Sequence, residues 1–147
     1  MLSKEAGELF AKGLESIGHD HLYLARTCFE QAMELEKCPE VCSYLALCRA
    51  KTRGQFSEAI ALAKEAVDDA PGNSALYLNL GRIYLLAGDK ESALDILRKG
   101  MQFDNNPDIL KELEIHGNRK PPLFPALKRN HPLNKYLGML LSRLGLR

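Results

Sequence analysis

Residues 74–107 read SALYLNLGRIYLLAGDKESALDILRKGMQFDNNP. The stretch divides at the turn LAGDK into an earlier segment, ALYLNLGRI, and a later one, SALDILRKG, each with apolar residues at three and four spacing. Its pattern recurs upstream. Ala25, Ala59 and Ala93 stand 34 residues apart, and so do Ala32, Ala66 and Gly100. Seven residues, close to two turns of helix, separate the small positions within each copy, so both lie on one face and admit a neighbouring helix closely. Phe29, Ala63 and Leu97 occupy one equivalent site on that stripe, and Leu35, Asp69 and Phe103 another. A fixed period of this length marks a stack of repeats, each too small to bury its own apolar face alone.

The turns before these helices read IGHDH, TRGQF and LAGDK. Gly54 and Gly88 are again 34 apart, as expected of a residue supplying a left-handed turn conformation, and Asp20 holds the same place in the first copy. The earlier helices, ELFAKGLES, CSYLALCRA and ALYLNLGRI, each carry a small residue in the middle: Gly13, Cys48 and Gly81. Tyr44, Leu47, Cys48 and Arg49 pair with Tyr77, Leu80, Gly81 and Arg82 at 33, so the second copy's first helix or turn is one residue short. Lys37, Cys38 and Pro39, then Pro71, Gly72 and Asn73, then Asn105, Asn106 and Pro107 close the copies.

The third copy resembles the tetratricopeptide repeat in Tyr77, Leu80, Gly81, Tyr84, Gly88 and Ala93; the first keeps Leu9, Gly13, Ala25, Phe29 and Ala32. The resemblance implies an all-α solenoid of three helix-turn-helix repeats over 6–39, 40–73 and 74–107, followed by a solvating helix over 108–117 ending at Gly117. It also implies a right-handed superhelix whose first helices line a concave face. There, Phe10, Leu14, Leu45, Arg49, Leu78, Asn79 and Arg82 would hold a peptide or helix of another protein, Arg49, Asn79 and Arg82 setting its orientation. Family members that clamp chaperone tails use a lysine and an asparagine where this chain has Phe10 and Leu14, so that clamp is not expected.

Charge is divided along the chain. The total is 20 Lys plus Arg against 19 Asp plus Glu, yet residues 119–147 hold seven basic residues and no acid, leaving residues 1–118 at −6. In that tail, KPPLFPALK suggests an extended polyproline-like crossing. Next, Asn130 or His131 is placed to cap a helix whose first residue is Pro132. Leu133, Tyr136, Leu137, Leu140, Leu141 and Leu144 form one apolar stripe on it. A helix this short is marginal alone in water and needs a surface. The surfaces open to it are its own last repeat, the groove of a partner or of another copy of this chain, and an anionic membrane, which would make the chain a peripheral adaptor. Nucleic acid is not expected, since only Phe124 and Tyr136 in the tail could stack on bases. The tail is also similar to the ending of small bacterial tetratricopeptide proteins, which implies no activity.

Composition agrees with a globular chain: 147 residues, 46% hydrophobic, with no apolar run long enough for a membrane span and an acid-bearing start unlike a signal peptide. A cytosolic setting and free thiols are the expectation. Cys38, Cys42 and Cys48 cluster loosely and His19 and His21 flank Asp20, but neither has the paired spacing of a zinc site. Cys28 and Cys48 read as buried small hydrophobes. No glycine loop is built to cradle phosphate, and no nucleophile signature accompanies any cysteine. No cofactor, metal or catalytic residue is expected, and the chain reads as a non-enzymatic interaction module.

Overall fold

The computed structural model describes residues 2–117 and 132–145. The small positions of the 34-residue period are where helices meet: Ala25, Ala59 and Ala93 are fully buried, as are Ala32, Ala66 and Gly100. They sit in the second helices of three antiparallel pairs. The pairs are α1 (Lys4–Gly18) with α2 (Leu22–Leu35), α3 (Pro39–Arg53) with α4 (Phe56–Asp69), and α5 (Ser74–Leu86) with α6 (Lys90–Gly100). Helix α7 (Pro107–Gly117) follows and packs on α6. Successive pairs stack through α2 on α3 and through both α3 and α4 on α5. These helices belong to one unit, Met1–Gly117; a second unit, Asn118–Arg147, contains α8 (Pro132–Arg143). The chain is thus an all-α solenoid of three helix-turn-helix repeats with a further helix, α7, and a C-terminal amphipathic helix, α8. Pro132 opens α8, where its missing N–H costs nothing. KPPLFPALK, Asn130 and His131 lie outside the described residues.

Close approach is built from glycine against a large side chain. A Cβ on Gly13 would fall 2.5 Å from Phe29 Cε1, and one on Gly81 would fall 2.6 Å from Leu97 Cδ2. A Cβ on Gly100 would meet Tyr77 Cβ of its own repeat at 2.7 Å and Ile109 Cδ1 of α7 at 2.8 Å. The expected second stripe of Leu35, Asp69 and Phe103 is not buried. Leu35 and Asp69 close α2 and α4 and face solvent, and Phe103 lies beyond α6, half exposed with its ring stacked on Tyr77 at 5.3 Å.

The turns resolve the register irregularity. Three residues, 19–21 and 87–89, join α1 to α2 and α5 to α6, whereas Gly54 and Gln55 alone join α3 to α4, so the missing residue is in the turn. The longer turns close with a six-to-one bond, His21 N–H to Ser16 C=O at 2.8 Å and Asp89 N–H to Tyr84 C=O at 3.0 Å. Asp20 takes the left-handed conformation of its glycine counterparts, with φ 59° against 62° at Gly54 and 82° at Gly88. Asp89 then caps α6, accepting from the Ser92 hydroxyl at 2.7 Å and the Ser92 N–H at 3.1 Å. Those bonds hold its carboxyl below the ordinary aspartate range.

Two asparagines link first helices across the stack. Asn73 Oδ1 accepts from Ala75 N–H to cap α5, while its Nδ2 donates to Glu40 at the start of α3 at 3.2 Å. Asn106 repeats the device, accepting from Asp108 N–H at the start of α7 and donating to Ser74 Oγ of α5 at 3.1 Å.

Three outcomes are expected from thermal or urea unfolding. Gly100→Ala should destabilise by about 1–3 kcal/mol, because the clash falls on a Tyr77 atom next to the backbone, whereas Gly7→Ala, in α1 with nothing within 4 Å, should stabilise by up to about 1 kcal/mol. Asp20→Gly should raise the midpoint, since glycine takes a positive φ without the cost a Cβ brings.

Candidate peptide-binding groove

First helices of successive repeats share an open groove of about 580 Å³, lined by Lys51 of α3, Arg82, Leu85 and Leu86 of α5, and Glu112 and His116 of α7. Arg82, Leu85 and Leu86 lie at i, i+3 and i+4, and Glu112 and His116 at i and i+4, so each helix offers one narrow strip to it. Arg82 Nε donates to Glu112 at 2.9 Å, and His116 Nε2 stands 3.6 Å from the other Glu112 oxygen. The described bond of Arg82 takes Nε, and the guanidinium carries further N–H donors on its terminal nitrogens. Leu86 is 44% exposed, an apolar surface between the charged rims.

The expected contact residues divide. Arg82 lines the groove. Leu45, Leu78 and Asn79 are buried, which corrects their assignment as contact residues: a first helix wedged between neighbours on both sides keeps only a strip for solvent. Asn79 instead donates to Ser43 Oγ at 3.1 Å, satisfying two buried polar groups across the α3–α5 seam. Arg49 stands 3.8 Å from Glu30 of α2, a carboxylate that also lies 3.7 Å from Arg26. Phe10 is half buried in an aromatic cluster, its ring 5.7 Å from those of Phe29 and Tyr44, and Leu14 is 36% exposed; both are on α1, outside this groove.

Lys51, Leu85, Leu86, Glu112 and His116 were not expected from sequence. A signal for His116 is present: it falls 34 residues after Arg82, one further step of the period into α7. In α8, Tyr136, Leu140 and Leu144 of the apolar stripe are exposed and Leu137 and Leu141 half buried, while the Leu133 side chain lies outside the described residues. Among the described residues no helix is long and apolar enough to cross a membrane, and no three His, Cys, Asp or Glu side chains converge as metal ligands.

Paired helices stacked so that their first members share a groove define a helical-repeat domain. Residues 50–112 match the family model of the tetratricopeptide repeat. Its fold is similar to the Sgt2 TPR domain from Aspergillus fumigatus, with a TM-score of 0.67 at 19% identity over 90% of this chain and 95% of that one. It is similar to the TPR2B domain of yeast Sti1, solved as a complex with pHsp70, with a TM-score of 0.65 at 22% identity over 77% and 93%. The first TPR of Spaghetti (RPAP3), bound to the HSP90 peptide SRMEEVD, matches at a TM-score of 0.65 and 19% identity over 78% and 92%.

All four cysteines are free. Burial raises the thiol pKa of Cys38 and Cys42 and pushes that of Cys48 up to about 11, so little thiolate forms near neutrality. Native-state alkylation at pH 8 should therefore modify the half-exposed Cys38 first and leave Cys28, Cys42 and Cys48 protected until urea is added, as peptide mass mapping would record.

Proposed function

We propose that this chain is a non-enzymatic protein-interaction module that captures an acidic, partly apolar peptide or helix in the groove of α3, α5 and α7. The observation that carries the reading is the pairing of Leu85 and Leu86 with Lys51 and Arg82, two cations set against the single carboxylate of Glu112. Apolar side chains of the ligand cover the leucines, and its carboxylate meets Lys51 and the terminal nitrogens of Arg82. The HSP90 peptide bound to the Spaghetti domain of the same fold supports the class of ligand. The mode differs from a chaperone-tail clamp, because Phe10 and Leu14 stand where the family's clamp places a lysine and an asparagine. Arg49, held near Glu30, contributes through the shape of the α2–α3 seam rather than as a ligand contact.

Peptides selected on the full chain from a random display library should be enriched in acids flanked by apolar residues. Lys51→Glu together with Leu86→Glu should weaken the selected peptides at least about tenfold in fluorescence anisotropy while leaving the circular dichroism melt in place. Equal affinity for the folded double variant would remove the groove from the binding site.

A further inference from the structure

The first repeat carries an open face on the side of α1 and α2 away from α3. Glu5, Glu8, Leu9 and Lys12 of α1 and Gln31, Glu34 and Leu35 of α2 line an open groove there of about 580 Å³. In α1 the lining residues recur at three and four spacing, and Gln31, Glu34 and Leu35 do the same in α2, so two adjacent helices present matching strips. The floor is apolar, with Leu9 half buried and Leu35 49% exposed, and the rim holds three carboxylates against one lysine. A groove between two helices with leucines below and acids above fits a third amphipathic helix of opposite charge.

This chain carries such a helix. Helix α8 exposes Tyr136, Met139 and Leu140, with Leu144 exposed in the turn that follows, and bears Lys135 and Arg143, in a segment, 119–147, that has seven basic residues and no acid. Its twelve residues extend about 18 Å, enough to run along both strips. The end face belongs to α1 and α2, whereas α7, after which the tail begins, packs on α6 at the other end of the stack. A tail arriving from a second molecule needs no path along the whole solenoid.

We propose that the acidic end face of α1 and α2 is a docking site for the basic C-terminal helix of a second copy of this chain, giving head-to-tail self-association. Leu140 and Leu144 cover Leu9 and Leu35, while Lys135 and Arg143 meet Glu8 and Glu34. The contact is heterologous, so two copies close a dimer by exchanging tails and further copies extend a ring or chain.

Sedimentation equilibrium of the full chain at low salt tests this, at concentrations up to about 200 µM because one helix on one groove is a small and weak interface. The wild-type chain should show a mass rising toward twice that of the monomer. Glu8→Lys with Glu34→Lys, and separately Lys135→Glu with Arg143→Glu, should each weaken association at least about tenfold; all four side chains are exposed, and circular dichroism checks the fold. An equimolar mixture of the two variants should associate again, because each tail then finds an end face of opposite sign only on the other chain. A monomeric wild type, as expected if the tail docks on its own molecule or on a different partner, overturns the proposal. So does wild-type association by the end-face variant, or a mixture that stays monomeric.

Discussion

Everything in the stack depends on how closely a second helix lies on the first helix of its own repeat. Phe29 presses on Gly13 in the first repeat and Leu97 on Gly81 in the third, each large side chain occupying the space a Cβ would need. The middle repeat places Cys48 and Ala63 at the equivalent positions, both fully buried: a larger residue on the first helix and a smaller one on the second. The volume shared by the two positions is therefore partly conserved while its distribution changes, which is the kind of exchange a close-packed core tolerates. Because helix separation follows from the side chains at the contact, this compensation lets three unlike sequences build one repeat geometry.

Uniform repeats open a common groove only if their spacing is also controlled. Asn73 and Asn106 join the two requirements, since each caps a first helix and with the same amide holds a polar side chain at the start of the preceding one. A helix start positioned in this way fixes where its later turns emerge. Lys51, Arg82 and His116 stand far along α3, α5 and α7, so their convergence follows from helix starts set by asparagine and helix separation set by glycine. Glu112 makes the last link, drawing the α7 strip to Arg82 at 2.9 Å.

The helical stack was legible because its determinants are local and periodic: a small residue every 34 positions, and a left-handed residue at the matching turn. Asp20 satisfies that turn despite its Cβ, as an aspartate does more readily than most residues. The strip that lines the groove was less legible. Leu45 and Leu78 belong to the apolar pattern of α3 and α5 as much as Leu85 and Leu86 do, and only the packing of neighbouring helices separates buried leucines from groove leucines. Asn79 looked like a ligand contact because it is polar on an apolar helix, whereas its partner Ser43, 36 residues away, becomes visible only once α3 and α5 are side by side. His116 was overlooked because the repeat was closed at Pro107, although α7 continues the row of first helices.

Charge adds a constraint that the near-neutral total conceals. Residues 1–118 carry −6, so an acidic peptide would approach this unit against a repulsive field, and the proposed groove would offset it with the local cations Lys51 and Arg82. Salt acts on the two parts in opposite directions: it screens the long-range repulsion beyond a Debye length of about 8–10 Å and weakens the short-range ion pairs less when they are partly desolvated. Affinity in the groove should then depend weakly on ionic strength. A basic helix approaching the acidic end face meets attraction at both ranges, and every increment of salt weakens it. The two surfaces therefore differ in the sign of their long-range field, and if both act as proposed, rising ionic strength would favour peptide capture over self-association.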